Sequence, residues 1–286
     1  MIIEQAIDRM KHQRQPHYQP AVAIQRYEPP ATRPVDLTFP RVQYDVRSCE
    51  ENRILVPECE DSGTTVGVSA YRILRTRVLQ LMRTNRWSTL ALTSPGPGEG
   101  KSMTGLNLAL SLAREKNHNV FLLDLDMSNP SVCPYLGVNP PGQIVRYFAG
   151  AIEPKEIFFS IGIPRLAIAG GVEATPLSSE LLASTRLDDL LKYISAIAPN
   201  SMTILDLPPV LSTDDFLMAA PRADATLLVI AEGRSRRDGV ERAMEVLSGF
   251  PLAGVMLNRS HERVTDYYSR RYYYGSAAGS KGKRDK

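Results

Sequence analysis

The chain has 286 residues, of which 43% are hydrophobic and 23% charged, with a formal net charge of +3. That composition is ordinary for a soluble globular chain and excludes collagen-like, wholly disordered and coiled-coil organisation. No apolar run approaches the roughly 20 residues that span a bilayer, and the N-terminus, broken early by charges and prolines, lacks the apolar core of a secretory signal.

Residues 1–67 carry scattered prolines (Pro16, Pro20, Pro29, Pro30, Pro34, Pro40, Pro57) and no lasting periodicity. The expectation is an extended, partly disordered, flexible arm, with a short helix over residues 2–14. From Ser69 the pattern changes. Tyr71, Leu74, Val78 and Leu81 recur at helical spacing among Arg72, Arg75, Arg77 and Arg83, which predicts an amphipathic helix. Beyond it, apolar runs of strand length alternate with helical patterns. Strands are expected at 89–93, 120–123, 166–169, 202–205, 225–230 and 254–257, and helices at about 101–116, 179–197, 214–220 and 237–250. Near-continuous apolar strands separated by helices predict a doubly wound α/β fold, a mostly parallel sheet with helices on both faces. After Asn258 the pattern dissolves into a Tyr/Arg-rich stretch. The organisation read from the chain is thus an arm (1–67), one α/β domain (68–260) and a flexible tail (261–286).

Cys49, Cys59 and Cys133 form no CxxC pair and no even framework, so structural thiols in a reducing compartment are expected. From Arg259 to Lys286 there are eight Lys or Arg against three Asp or Glu, a basic end on a near-neutral body. Such an end suits an acidic partner, anionic lipid or nucleic acid, or simply solubilises the chain.

The most informative segment is Leu90-Ala-Leu-Thr-Ser-Pro-Gly-Pro-Gly-Glu-Gly-Lys-Ser102. A strand enters, a Gly-rich turn follows, and Gly100-Lys101-Ser102 opens a helix, so that backbone N–H groups and the helix N-terminus cradle phosphates. This predicts a P-loop NTPase site. The nucleotide-contacting residues are expected to be Gly96, Gly98, Glu99, Gly100, Lys101, Ser102 and Met103, with Lys101 on phosphate oxygens and the Ser102 hydroxyl on Mg²⁺. The strict pattern has Gly where this chain has Pro95.

Asp124 and Asp126 stand at the carboxyl end of one strand, and Asp206 ends another, followed by Leu207-Pro208-Pro209. Ligands of open α/β sheets bind at that end. Three such carboxylates in a P-loop chain predict metal and proton chemistry. Asp214 reads instead as a helix cap.

With these residues in hand, the chain resembles the P-loop tyrosine autokinases of bacteria (BY-kinases), which serve capsule and exopolysaccharide biosynthesis. The matching pieces are Ser94 to Ser102, Leu122-Leu-Asp-Leu-Asp126 with Pro130-Ser131, Ile204-Leu-Asp206-Leu-Pro-Pro-Val, Pro176-Leu-Ser-Ser-Glu-Leu-Leu182, Gly254-Val-Met-Leu-Asn258, and the tail tyrosines Tyr267, Tyr268, Tyr272, Tyr273 and Tyr274. The resemblance implies an ATP- and Mg²⁺-dependent protein-tyrosine kinase that phosphorylates this tyrosine cluster in trans. In the implied mechanism Lys101 neutralises charge on the transferring phosphoryl, Ser102, Asp126 and Asp206 hold the metal, and Asp124 accepts the tyrosine proton. Asn258 resembles the adenine-reading Asn of related folds, or is a strand-end turn residue. A homo-oligomer, tyrosine-containing protein substrates, and a transmembrane polysaccharide co-polymerase or activator as partner are implied as well. Such a partner would hold a cytoplasmic protein at the inner membrane. The alternative is an ATPase or nucleotide-gated scaffold of the same machinery that lacks transfer chemistry.

Three positions depart from the family pattern: Ser69 replaces the acid of a Glu-x-x-Arg-x-x-Arg helix, Ser128 and Asn129 stand where an Arg is usual, and Pro95 is the third. Gly96 occupies the place of the second Lys found in partitioning ATPases, which disfavours that class. Nucleic-acid binding by stacked tyrosines and arginines is a further reading, and no nucleic acid is expected.

Overall fold

The computed structural model describes residues 37–59 and 65–260. Its first helix is absent from the sequence reading. This is α1 (Val46–Glu51), started by Asp45, whose carboxylate accepts from the backbone N–H groups of Arg47 and Ser48. An Asp at this position satisfies donors the helix itself cannot. Nearby, Cys49, Ile54 and Val56 are buried, and the Leu55 N–H donates to Asn107 Oδ1 at 2.8 Å. Residues 37–44 run extended, with an isolated bridge from Arg41 to Ser160, while residues 45–57 are folded against the domain. Their few apolar anchors sit between prolines and follow neither helix nor strand period, so the sequence pattern concealed them. Truncating Ile54 to Ala should cost about 2–4 kcal/mol, measured as a lower urea midpoint at unchanged m. The helix expected over 2–14 lies outside the described residues.

The amphipathic helix forms as α2 (Thr65–Asn85), which buries Tyr71, Val78, Leu79 and Met82. Arg75 turns inward from it, donating to Ser111 O at 3.2 Å and pairing with Glu115 at 3.4 Å, whereas Arg72 stays exposed. Then follow β1 (Thr89–Thr93), α3 (Lys101–Ala113), β2 (Asn119–Asp124), α4 (Val132–Leu136), α5 (Ile144–Phe148), β3 (Phe158–Phe159), β4 (Leu166–Ala169) and α6 (Ser178–Ala183). The chain continues through α7 (Arg186–Ile197), β5 (Ser201–Asp206), α8 (Asp215–Ala219), β6 (Ala225–Ala231), α9 (Arg237–Leu247) and β7 (Leu252–Asn258). All six expected strands are present.

Three details differ from expectation. The helix expected at 179–197 is two helices, because Ser184 turns extended and its hydroxyl donates to Leu181 O at 2.6 Å. The helix from Lys101 stops at Ala113 because Arg165 reaches its last turn, donating to Ala113 O at 2.8 Å and Glu115 O at 3.0 Å. A guanidinium at a helix C-terminus satisfies free carbonyls and opposes the helix dipole. A seventh, two-residue strand, β3, pairs antiparallel with β4 and forms one sheet edge.

The sheet order is β3-β4-β2-β5-β1-β6-β7, parallel throughout except for β3. Alternation along each strand divides the core. Leu90, Leu92, Val120, Leu122, Leu166, Ile168, Ile204, Leu227 and Val229 pack on the face covered by α2 and α3. Ala91, Phe121, Leu123, Ala167, Ala169, Leu205, Leu228 and Ile230 pack on the face covered by α5, α7, α8 and α9. Successive side chains point to opposite faces and both faces are covered, so the strands read as uninterrupted apolar runs. Cys49 and Cys133 are buried, and neither is in a disulfide.

Candidate active site

Because β1, β5 and β2 are adjacent, their carboxyl ends bring the Gly-rich loop and the acidic residues together. Asp124 and Asp206 are register partners across β2 and β5, and Asp206 also lies opposite Leu92 on β1. By strand parity both carboxylates fall on the α3 face, beneath the loop.

The loop runs from Ser94, held by the Val210 N–H on its carbonyl at 2.9 Å and closed by its own hydroxyl on Gly96 O at 2.7 Å. Its left-handed positions are Gly98 (φ 73°) and Gly100 (φ 93°), where a side chain would be strained. Pro95 stands outside these two positions, so the departure from the strict pattern is accommodated. Gly100 precedes the first turn of α3, whose N-terminal donors are the anion-binding element of such loops.

The Lys101 ammonium lies 2.6 Å from Asp126 and 3.7 Å from Asp206, and donates to Ser102 Oγ at 3.2 Å. Burial works against its charge, but Asp206 and Asp126 outweigh that and lift its pKa above the ordinary lysine range. Asp124 Oδ2 accepts the N–H groups of Ser131 and Val132, each at 2.9 Å, while its Oδ1 is buried without a hydrogen bond. Burial, reinforced by the neighbouring Asp206 charge, pushes Asp124 up to about 7. Burial also raises Asp206, against the pull of Lys101 and Ser102, and with the Lys101 ammonium at 3.7 Å neither buried Asp206 oxygen has a partner at full hydrogen-bonding distance. Buried carboxylate oxygens left in this state are costly unless something binds them.

That cost is the test of fit for Mg²⁺. The usual protein share of its shell is one or two carboxylates and a hydroxyl, with phosphate and water completing it. Ser102, Asp126 and Asp206 are the residues that would supply that share. Among the described residues there is no group of three or more His, Cys, Asp or Glu able to hold a metal alone.

The remaining predicted residues fall in different places. Glu99 is buried, and burial raises its carboxyl. The Met103 thioether accepts from the Tyr71 hydroxyl and the Asn107 amide, each at 3.2 Å, while its methyl lies beside Gly100 of the loop. Ser128, in the stretch where an Arg is usual, donates to Asp126 Oδ1 at 3.1 Å. Asp214 occupies a helix N-cap but makes no side-chain cap. It accepts instead from Ser179 Oγ at 2.6 Å, while buried Asp215 accepts from Ser178 Oγ at 2.6 Å, joining α6 to α8. The Asn258 amide donates to Glu99 O at 2.9 Å and accepts the Arg259 N–H at 2.8 Å. Tyr267, Tyr268, Tyr272, Tyr273 and Tyr274 lie outside the described residues. Sequence reasoning missed Arg234 and Arg259, which also reach the loop. Their exposed, loop-borne positions carry no periodic or motif signal.

No family model matches the chain. It is 29% identical over 145 residues to tyrosine-protein kinase CpsD of Streptococcus agalactiae, a match covering 50% of this chain and 59% of that protein. The chain thus spans somewhat over half the length of that curated relative. Among solved structures, the kinase domain of Escherichia coli tyrosine kinase ETK superposes with a TM-score of 0.65 at 25% identity, covering 72% of this chain and 80% of that one. The VpsO kinase domain gives a TM-score of 0.61 at 28% identity, covering 70% of this chain and 98% of that one. In sequence and in fold alike, the chain is similar to the P-loop tyrosine kinases of bacteria.

Proposed function

We propose that this chain is an ATP- and Mg²⁺-dependent protein-tyrosine autokinase of capsule or exopolysaccharide synthesis and export. The observation that carries the reading is the convergence of Lys101, Asp126 and Asp206 beneath a phosphate-type loop, with Asp124 beside them. In this reading the loop and Lys101 bind the β- and γ-phosphates of ATP. Ser102, Asp126 and Asp206 hold Mg²⁺, which supplies charge neutralisation on the phosphates. Asp124 Oδ1, free of hydrogen bonds and on a carboxyl whose pKa lies near neutrality, takes the proton of the attacking tyrosine. The acceptors are Tyr267, Tyr268, Tyr272, Tyr273 and Tyr274 of another copy. Each phosphate adds about −1.5 to −2 charges to a basic tail, so modification repels the tail from the acidic site and favours release of subunits.

Among the described residues no helix is long and apolar enough to cross a membrane. A transmembrane co-polymerase or activator is the partner that would hold the chain at the inner membrane.

The test is mass spectrometry of the full chain after incubation with ATP and Mg²⁺. Phosphate is expected on the tail cluster, and also on the tail of Lys101→Ala protein mixed with wild type. Phosphate only on Tyr18, Tyr27 or Tyr44, or phosphorylated protein that assembles as readily as unmodified protein, would overturn this account of the tail. ADP release with no phosphotyrosine would favour the ATPase or scaffold reading, to which the Ser69 and Ser128 departures point.

A further inference from the structure

Three successive carbonyls of the phosphate loop are each taken by a side chain from the neighbouring strands' ends. Arg234 Nε donates to Pro97 O at 3.3 Å, Arg259 Nη2 to Gly98 O at 3.1 Å, and Asn258 Nδ2 to Glu99 O at 2.9 Å. We propose that Arg234, Asn258 and Arg259 form a clamp that holds the loop in its phosphate-binding shape before any nucleotide arrives, and that they are positioning residues for it.

The geometry of the peptide unit supplies the reason. In a planar trans peptide the carbonyl of one residue and the N–H of the next point to opposite sides. Drawing the carbonyls of Pro97, Gly98 and Glu99 toward the clamp therefore directs the N–H groups of Gly98, Glu99 and Gly100 away from it, as a phosphate cradle requires. A flexible Gly-rich loop would otherwise lose that order as conformational entropy on binding.

A second observation shows how closely the same side chains press on the loop. A Cβ on Gly98 would meet Arg234 Nη2 at 2.5 Å, and one on Gly100 would collide with Asn258 Nδ2. The clamp thus lies directly on the two glycines that take left-handed backbone, and both their conformation and their lack of a side chain are used.

The clamp also has a firm base. The turn after β6 is closed by Arg234 and Ser235 N–H groups on Ala231 O and by Ser235 Oγ accepting the Ala231 N–H. The Glu232 N–H donates to Asn258 O at 3.0 Å, which ties that turn to the end of β7. Arg259 itself sits at φ 57°, a left-handed value uncommon outside glycine, stabilised by its N–H on Asn258 Oδ1. The Asn258 amide thus holds the loop through its nitrogen, on Glu99 O, and the Arg259 backbone through its oxygen.

The proposal rests on the nucleotide-binding reading, so one measurement is made without nucleotide. Hydrogen exchange of residues 94–103 in the nucleotide-free full chain should accelerate about tenfold in Arg234→Ala/Arg259→Ala, at an unchanged thermal midpoint. With MgADP as probe, the same variant should weaken binding about tenfold, and KM for ATP should rise about tenfold while kcat changes by less than about threefold. Asn258→Asp, which keeps size but loses the donor, should shift exchange and KM in the same direction. Unchanged loop exchange overturns the clamp, even if KM rises, because the arginines would then act on the nucleotide directly. Faster exchange with unchanged KM overturns the positioning role. Failure of the wild-type chain to bind MgADP would instead overturn the nucleotide reading, a result the exchange data would not share.

Discussion

Replacing Lys101 with alanine should lower phosphoryl transfer and ATP hydrolysis by about 10²–10³, the usual cost of removing one preorganised charge from a developing anion. No other lysine lies in the loop, and the clamp arginines are engaged with carbonyls on its other side. The structure adds a second expectation. The Lys101 ammonium is the counter-charge of Asp126 and neighbours Asp206, and all three side chains are nearly or fully buried. Breaking a buried pair by removing one partner costs on the order of 3–5 kcal/mol, unless a carboxyl takes up a proton instead. The variant should therefore unfold at lower temperature than wild type. Lys101→Ala/Asp126→Asn, which also removes one stranded carboxylate, should regain part of the thermal midpoint and none of the turnover. That separation distinguishes loss of chemistry from loss of fold. Lys101→Ala activity within a factor of two of wild type would end the P-loop assignment.

The sheet was legible because its central strands are buried on both faces. A run such as Val120-Phe-Leu-Leu has to be a covered strand, and the Gly-rich turn before Lys101 fixes where the ligand end lies. The acidic residues were legible for the same reason, since a carboxylate ending an apolar strand has few other uses. What escaped was structure made by contacts distant in sequence. Cys49, Ile54 and Val56 anchor the 45–57 stretch with no periodic pattern. Arg165 stops α3 from across the chain, and the N–H groups of Ser131 and Val132 converge on Asp124 through a turn that no motif announces. Asn258 shows the limit most clearly. Its position at the end of the last strand could be read, whereas its hydrogen bond to Glu99 spans 159 residues of chain and depends on how two loops meet.

Asp124→Asn should lower transfer by about 10²–10⁴, the usual worth of a general base, and Asp206→Asn should lower it through the metal, so the two should differ in their response to metal and to pH. Asp206 is fully buried with only the Lys101 ammonium, at 3.7 Å, and Ser102 beside it, and in the proposed site it faces the cation. Raising Mg²⁺ should recover part of the Asp206→Asn turnover and none of the Asp124→Asn turnover. Equal recovery would mean that the two roles are wrongly assigned. The pH arm uses Mg²⁺-free buffer and reads stability. Asp124, raised to about 7 first by burial and then by Asp206, holds its proton more tightly folded than unfolded. A carboxyl raised in this way stabilises the fold below its unfolded value, about 3.9, and loses that contribution as pH climbs through the folded value. The wild-type thermal midpoint should therefore fall between about pH 5 and pH 8. Asp124→Asn keeps an oxygen to accept the Ser131 and Val132 N–H groups and carries no charge, so its midpoint should fall less over the same range. Parallel curves would show that Asp124 does not titrate near neutrality, and the case for it as the proton acceptor would be lost.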